Sequence, residues 1–234
     1  AWGPIQTIIG FVLLYVVNFF SLSDGMHRYF THRAFRTSRA FQFAMALLAG
    51  CFFGDAVEFS GKHRLHHRFS DTDQDPHSPR RGWFHCWLGN LVDDGYTVEE
   101  RLAAVPDLTR YPELMWLHRW WALVGTAACL AVVAAGGWSM FLIGYCLNLP
   151  LRMHFMSAIN YFGHRGSGPD LSTNNLLLGL LVFGEGWHHN HHLYPGSARL
   201  GIAWYEVDLG YYLLKALSWL GLVWDLRQPS GHTS

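Results

Sequence analysis

Two long stretches of the chain contain no ionisable side chain, and they constrain its fold more than any other feature. Residues 1–23 and 120–151 hold no Asp, Glu, Lys, Arg or His. About 20 helical residues cover the ~30 Å hydrocarbon core of a bilayer. Only 15% of the 234 residues are charged, against about 25% in average soluble proteins, which disfavours an ordinary soluble globule. The pattern predicts one domain over residues 1–234 that is an all-α, polytopic membrane helical bundle.

The apolar stretches differ in length, and the lengths predict how each one meets the membrane. Residues 120–151 are too long for one span, so the Gly136–Gly137 pair predicts a hairpin turn, and Pro150 is expected to kink the second helix. Phe41–Gly54 is marginal for a span and predicts a re-entrant or interfacial helix at about 41–57. The predicted spans are 2–22, 114–135 and 138–161.

The distribution of basic residues predicts the orientation in the membrane. The hairpin turn at 134–138 carries no Lys or Arg, whereas twelve basic residues between 28 and 119 lie in polar segments. The positive-inside rule therefore places the polar segments 58–113 and 162–234 in the cytoplasm, where they are expected to form a helical cap. We also expect residue 1 on the far side, so that a further helix before it would return the chain to the cytoplasm.

Charge and cysteine usage exclude several other classes of protein. The formal net charge is zero, so nothing suggests a nucleic-acid partner. The four cysteines form no C-x-x-C pair and are predicted to be free thiols. The chain also has no glycine-rich flavin or nicotinamide fingerprint.

The histidines are concentrated in three short windows, and this points to metal chemistry. HRYFTH carries His27 and His32, while the other two windows carry H-x-x-H-H patterns. Spacing of i, i+3 and i+4 puts imidazoles on one helix face, so each pattern is expected to converge on one point. His27 and His32 would lie about 140° apart on an α-helix and are expected to reach different metals. The other two windows contain His63, His66 and His67, and His188, His189, His191 and His192.

Eight or more converging imidazoles are too many for one ion, which accepts about four to six ligands, so the sequence predicts a site for two. For His32 and His63 to share that site, Phe41–Gly54 cannot cross the bilayer, and the hairpin would return Asn160 and His164 to the same face. Nearby carboxylates are candidates to hold the distal ring N–H groups. They are Asp24, Glu58, Asp71, Asp73, Asp75 and Glu185.

The motifs around these windows resemble those of the membrane fatty-acyl desaturases, specifically the acyl-CoA delta-9, stearoyl-type branch. The similar segments are DGMHRYFTHRAF, KHRLHHRFSDTDQDPHSPRRGWF, AINYFGHR and GEGWHHNHHLYPGSAR. They run through nearly the whole chain, which begins where the second membrane helix of that family would begin. The resemblance implies a dioxygen-dependent di-iron enzyme that introduces a double bond into a thioester-linked acyl chain.

The resemblance also implies a ligand set, cofactors and partners. It adds His164, and Asn160 acting through a water, to the ligands. The two ions would be Fe²⁺, with zinc as a possible substitute in a purified sample and with no bound flavin or haem. An acyl-CoA or acyl-carrier-protein substrate, a ferredoxin or cytochrome b-type electron donor and the bilayer would be the partners. The implied ligands are His27, His32, His63, His66, His67, His164, His188, His191, His192 and Asn160.

Other residues are candidates for substrate contacts or for support of the metal ligands. The basic residues Lys62, Arg68, Arg80 and Arg81 suit the phosphates of a carrier headgroup. Phe11 and Tyr15 are hypothesised to close the methyl end of the acyl tunnel. Glu185, Asp75 and His154 are candidates for hydrogen bonds to the ligands. His77 is expected to have a structural hydrogen-bonding role, His189 to support the site or lie exposed, and His85, His118 and His232 not to be ligands.

Three alternatives to a desaturase stay open on the sequence. An acyl hydroxylase or an acetylenase would use the same di-iron scaffold, and nothing in the sequence excludes either. A bis-histidine haem electron-transfer protein would need single histidines facing each other within spans. A membrane zinc hydrolase is disfavoured because the chain has no H-E-x-x-H motif.

Overall fold

A computed structural model describes residues 3–167 and 170–229 of the chain. Residue 2, where the first predicted span begins, and His232 lie outside the described residues. The all-α prediction is confirmed, because about two thirds of the chain is helical and 3% is strand. The helices are α1 (Pro4–Phe20), α2 (Arg39–Cys51), α3 (Ala56–Phe69), α4 (Trp83–Trp87), α5 (Val98–Ala103), α6 (Pro106–Thr109), α7 (Pro112–Ser139), α8 (Asn148–Phe162), α9 (Leu176–Leu181), α10 (His188–Leu193) and α11 (Leu209–Trp219).

The first apolar helix carries the chain directly into the first histidine window. Pro4 occupies the first turn of α1, where its missing N–H costs nothing. At Ser21 the hydrogen bonding changes from the α to the π pattern, which continues to Thr31. Within the described residues, Pro4–Thr31 is one of two helical stretches long and apolar enough to cross a membrane.

The second such stretch, Pro112–Phe162, is folded back on itself. Gly137 has φ +70°, a conformation that favours glycine, and it breaks the helix near the middle. Tyr145 lies against Cys129, so the two arms of the hairpin pack together. A π segment at Met140–Cys146 precedes α8, and Pro150 has no N–H to donate to the Cys146 carbonyl. The regular helix is therefore interrupted just ahead of Pro150.

Helices α2 and α3 form a bent pair that holds the second histidine window. Their axes turn by 91° between Cys51 and Ala56. Asp55 caps α3 by accepting hydrogen bonds from the N–H groups of Val57 and Glu58. Length and composition fit either a broken span or a re-entrant loop, so the re-entrant helix at about 41–57 stays a prediction.

Short strands and buried ion pairs connect the polar segments that lie between and after the apolar helices. Two strands of two residues, Arg36–Thr37 and Val223–Trp224, pair antiparallel and tie the end of the chain to the first histidine window. The guanidinium of Arg28 is buried, lies 2.8 Å from Asp208 Oδ1 and donates to the carbonyls of Phe183 and Ala198. The four cysteines are free thiols, as predicted.

Candidate metal centre

Five histidine side chains from all three windows converge in the first of two groups, here called the five-histidine group. One ring nitrogen of each member lies within 4.8 Å of those of the others. The Nε2 atom of His191 is 3.1 Å from that of His27 and 2.9 Å from that of His67. The members are His27, His32, His63, His67 and His191.

The remaining four predicted histidine ligands form a second group, here called the four-histidine group, directly beside the first. The Nε2 atom of His188 is 2.8 Å from that of His164 and 3.1 Å from that of His192. The ring centroids of His67 and His192, one from each group, are 4.7 Å apart. The members are His66, His164, His188 and His192.

The expectation that His27 and His32 reach different metals is wrong, because both belong to the five-histidine group. The segment that carries them is a π-helix over Ser21–Thr31, and the N–H of His32 donates to the carbonyl of His27. An i→i+5 bond stacks residues five apart on one face, where an α-helix would spread them.

The expectation that each H-x-x-H-H pattern converges on one point is also wrong. On α3, His63 and His67 belong to the five-histidine group and His66 to the other. On α10, His188 and His192 share the four-histidine group and His191 belongs to the first. Residues at i and i+4 lie about 40° apart around a helix, whereas the i+3 residue lies about 60° to the other side. Each pattern therefore supplies both groups.

Carboxylates lie beside the outer nitrogens of three rings and favour the tautomer that carries a proton there. Glu185 lies 2.6 Å from His27 Nδ1, Asp75 lies 2.9 Å from His66 Nδ1, and Asp71 lies 3.0 Å from His164 Nδ1. A neutral imidazole that donates from Nδ1 has only a lone pair at Nε2. Each of these Nε2 atoms faces the Nε2 atom of a second ring, and the distances are 3.1 Å from His27 to His191, 3.4 Å from His66 to His192 and 2.8 Å from His164 to His188. A cation beside such a pair could be bound by both rings.

The protonation and burial of the other rings also fit a metal. Burial lowers the pKa of His188 and His191 well below the ordinary value, so both rings stay neutral at physiological pH. Among the described residues, the buried Nε2 of His32 has no hydrogen-bond partner. Neutral imidazoles with free lone pairs suit iron, zinc, copper or nickel. The residues present therefore fit the implied pair of metal ions.

The carboxylate of Glu185 supports a direct prediction. Glu185 faces His27 Nδ1 and also accepts a hydrogen bond of 2.5 Å from Ser23 Oγ. We expect Glu185→Gln to weaken metal binding by about 10–100-fold, because the neutral amide removes the negative charge beside His27 Nδ1 that makes this ring a stronger ligand. Titration of the apoprotein with Fe²⁺ measures this. An unchanged affinity would show that Glu185 has no part in orienting His27.

A cavity of about 440 Å³ lies beside the two groups. It touches His63, His77 and Asn160, and several apolar residues of α8 form one wall. A smaller space of about 20 Å³, enough for about one water, adjoins it and reaches His27, His63 and His188. The cavity is lined by Leu22, Phe52, Phe53, Phe59, Lys62, His63, His77, Asn90, Leu91, Leu149, Arg152, Met153, Met156, Ser157 and Asn160.

Phe11 and Tyr15 do not line this cavity, and their role in closing the methyl end of the tunnel stays a prediction. The hydroxyl of Tyr15 donates to the Leu181 carbonyl, and its ring lies 4.4 Å from that of Phe19. This face of α1 packs against the loop after α9, whereas the cavity lies between α8 and the α2–α3 bend. Phe52 and Phe53 at that bend are the aromatic residues that line it.

Two of the three residues predicted to support the metal ligands contact a ligand ring, and the third does not. Glu185 and Asp75 contact ligand rings, as expected, but His154 does not. Its ring is exposed and accepts a hydrogen bond of 3.1 Å from Trp87 Nε1, because this position on α8 faces away from the cavity. Of the flanking carboxylates, Asp24 lies beside Arg28, Glu58 binds Arg101 and Asp73 is exposed.

The predicted headgroup residues occupy two environments. Arg68, Arg80 and Arg81 are exposed. Lys62 lies inside, where its Nζ donates to Asn90 at 2.6 Å, pairs with Asp94 at 3.4 Å and lines the cavity.

The remaining histidines lie beside the groups or apart from them. His77 is buried beside His66, with ring centroids 4.2 Å apart, and lines the cavity. His189 is partly exposed and bonds Ser172 at 2.8 Å. His85 faces the Pro76 carbonyl, and His118 pairs with Asp55.

Comparison with known proteins decides the class of this site. The family model described as fatty acid desaturase matches residues 3–223. The chain belongs to the fatty acid desaturase family. It is similar to an acyl-CoA C20 Delta5-desaturase of Anemone leveillei, at 33% identity over 94% of this chain and 73% of the relative. An sn-1 stearoyl-lipid 9-desaturase of Anabaena variabilis is 32% identical over 97% of this chain and 85% of its own length.

The relatives share one class of reaction, the oxidation of acyl chains, but their products include both double and triple bonds. The family and its named desaturases make this protein an oxidoreductase of lipid metabolism, as the motifs predicted. A hex-5-enoyl-[acyl-carrier protein] acetylenase of Moorena producens is also similar, at 34% identity over 98% of this chain and 80% of the relative. Together with its apolar helices, the family makes the desaturase a membrane protein.

Most apolar residues of the cavity were not predicted from the sequence, although one signal was present. Leu149, Arg152, Met153, Met156 and Asn160 recur at helical spacing along α8 and end at the predicted ligand Asn160. That stripe marks the face of α8 turned toward the metal site.

Proposed function

We propose that this desaturase is a dioxygen-dependent di-iron enzyme that introduces a double bond into an acyl chain bound in the cavity. The observation that carries the proposal is the division of nine imidazoles into two adjacent groups beside an apolar cavity. A bis-histidine haem would need only two facing rings. Bound iron would supply dioxygen activation and the removal of two hydrogens from neighbouring methylenes.

In this proposal the residues bind the ions, orient the metal ligands and hold the acyl chain. The five- and four-histidine groups each hold one ion, and Asn160 completes the second through a water. Glu185, Asp75 and Asp71 keep protons on the outer ring nitrogens, so that the inner lone pairs stay available. The side chains of Phe59, Met153 and Met156 exclude water and align the acyl chain beside the histidines.

We also propose an orientation in the bilayer and a set of partners. Pro4–Phe20 and the two arms of the Gly137 hairpin cross the membrane, α2 enters without crossing, and the histidines lie on the cytoplasmic side. The substrate is carried as a thioester, with Arg68, Arg80 and Arg81 near the phosphates of coenzyme A or an acyl carrier protein. A ferredoxin or a cytochrome b-type protein supplies electrons.

Expression in a host with profiled lipids tests the proposed function. We expect new double bonds in the host acyl chains and two iron ions per purified chain, although zinc can replace iron in an overproduced sample. Mass spectrometry separates the outcomes, because a hydroxyl group or a triple bond would instead show a hydroxylase or an acetylenase. Unchanged lipids from an iron-loaded protein with a competent electron donor would contradict the proposal.

Filling the cavity should slow turnover without affecting the metal site. Met153 lines the cavity wall, so we expect Met153→Trp to lower the rate of desaturation at least about tenfold, because the larger ring occupies the space of the chain. Leu147→Trp is the matched control, since Leu147 is 50% exposed and does not line the cavity. Equal rates for the two variants at unchanged iron content would show that the chain binds elsewhere.

A further inference from the structure

One cavity residue is a cation without an acidic partner in the part of the chain that the structure describes. The guanidinium of Arg152 lines the cavity from α8, within the apolar stretch Pro112–Phe162. Its Nη1 donates to Asn18 Oδ1 at 3.2 Å, and its Nη2 lies 3.2 Å from Met26 Sδ. Among the described residues, no carboxylate lies within ion-pair distance of it. The other cation of the cavity, Lys62, is paired with Asp94.

Placing this guanidinium inside the protein costs free energy, and the neighbouring residues leave room for it. Arg152 is partly exposed, and an ionisable group within a membrane helix is costly and marks a binding site by default. The guanidinium has five N–H donors, of which these two neutral contacts use only part. A Cβ at position 54 would lie 2.8 Å from Arg152 Nη2, so Gly54 leaves the space that the guanidinium occupies.

The position of Arg152 in the cavity indicates which part of a ligand it meets. Arg152 precedes Asn160 by eight residues on α8, which is about 12 Å along the helix axis. Asn160 belongs to the end of the cavity beside the histidines, whereas Arg152 belongs to the end formed by the α2–α3 bend. A chain held beside the histidines would therefore present its far end to Arg152.

We propose that Arg152 binds an oxygen acceptor at the far end of the acyl chain, so that this desaturase prefers ω-oxygenated chains over methyl-terminated ones. A carboxylate is the best match, because its two oxygens fit the guanidinium fork and balance its charge. A terminal hydroxyl can accept from the same fork but leaves the charge unbalanced. The inference rests on the proposed function, since it takes the cavity as the acyl site.

Binding of three length-matched probes to the iron-loaded protein tests the inference. The probes are decanoyl-pantetheine, ω-hydroxydecanoyl-pantetheine and sebacoyl monopantetheine, titrated calorimetrically without dioxygen or reductant into protein in phosphatidylcholine nanodiscs. We expect the sebacoyl probe to bind about tenfold or more tightly than the decanoyl probe, with the hydroxy probe between them. Arg152→Met should abolish or reverse this order, and Arg152→Lys should keep the preference for the carboxylate. Arg165→Met, at an exposed position near the end of α8, should change nothing.

Equal or tighter binding of the decanoyl probe by the native protein would overturn the inference, even if Arg152→Met failed to fold. An unchanged probe order in a folded Arg152→Met protein would overturn it as well. Failure of the proposed function is separable, because it would show as probe binding in the expected order without any double bond formed in the lipid assay.

Discussion

His188→Ala is expected to remove metal from the four-histidine group and to abolish desaturation. His188 Nε2 lies within about 3 Å of the ring nitrogens of both His164 and His192, so its loss opens the centre of that group. Changes to residues that only orient a ligand already cost about 10–100-fold in metal affinity, and loss of a ligand should exceed that. Iron analysis should find about one ion per chain instead of two.

His189→Ala provides the matched control for this experiment. The neighbouring imidazole is partly exposed, bonds Ser172 Oγ and belongs to neither group. Iron content and activity should therefore stay within about twofold of the native values, since a surface change of this kind costs about 0.5 kcal/mol or less. If the two alanine variants lost iron equally, the assignment of ligands in this window would be wrong.

Arg28→Met is expected to have the largest effect on stability. Arg28 is 1% exposed, and its guanidinium lies 2.8 Å from Asp208, 3.5 Å from Asp24 and 3.6 Å from Glu185. Removing one partner of a buried ion pair costs about 3–5 kcal/mol, because the remaining charges stay buried without compensation. Since Glu185 also holds His27, we expect the variant to lose iron along with a lower melting temperature in detergent.

Arg36→Met separates this buried network from arginine loss in general. Arg36 pairs with Asp225 at 3.3 Å, but the side chains of both are more than half exposed. Exposed pairs contribute about 0–1 kcal/mol, so the melting temperature should shift little. A large loss of stability in Arg36→Met, or none in Arg28→Met, would contradict the role given to the buried network.

The local part of the site could be predicted from the sequence because it depends on short spacings. The concentration of ligands in short histidine windows, the position of Asp75 beside His66 and the turn at Gly137 all follow from residue types a few positions apart. The similarity of whole motifs to the desaturases then supplied His164 as a candidate ligand, and it supplied the family. The comparisons confirm the family.

The division of the ligands could not be predicted, because it depends on backbone hydrogen bonding that the pattern does not specify. The π-helix over Ser21–Thr31 places His27 and His32 in one group, whereas the expected α-helix would have separated them. The rotation of α3 and α10 about their axes then decides which histidine of each window faces which group.

Contacts between residues far apart in the chain could not be predicted from the sequence either. Arg28 meets Asp208 across 180 positions, and Tyr15 meets Leu181 across 166. Tyr15 was predicted to be a tunnel residue from its depth along α1, and its contact with the end of α9 could not be predicted from that depth. The cavity depends on the α2–α3 bend, whose 91° angle no local pattern specifies.

The most direct test of the account is a diffraction measurement at the iron absorption edge on crystals of the iron-loaded protein. We predict two anomalous peaks per chain. One should lie among His27, His32, His63, His67 and His191, and the other among His66, His164, His188 and His192. A single peak, or peaks away from these rings, would contradict a two-iron centre.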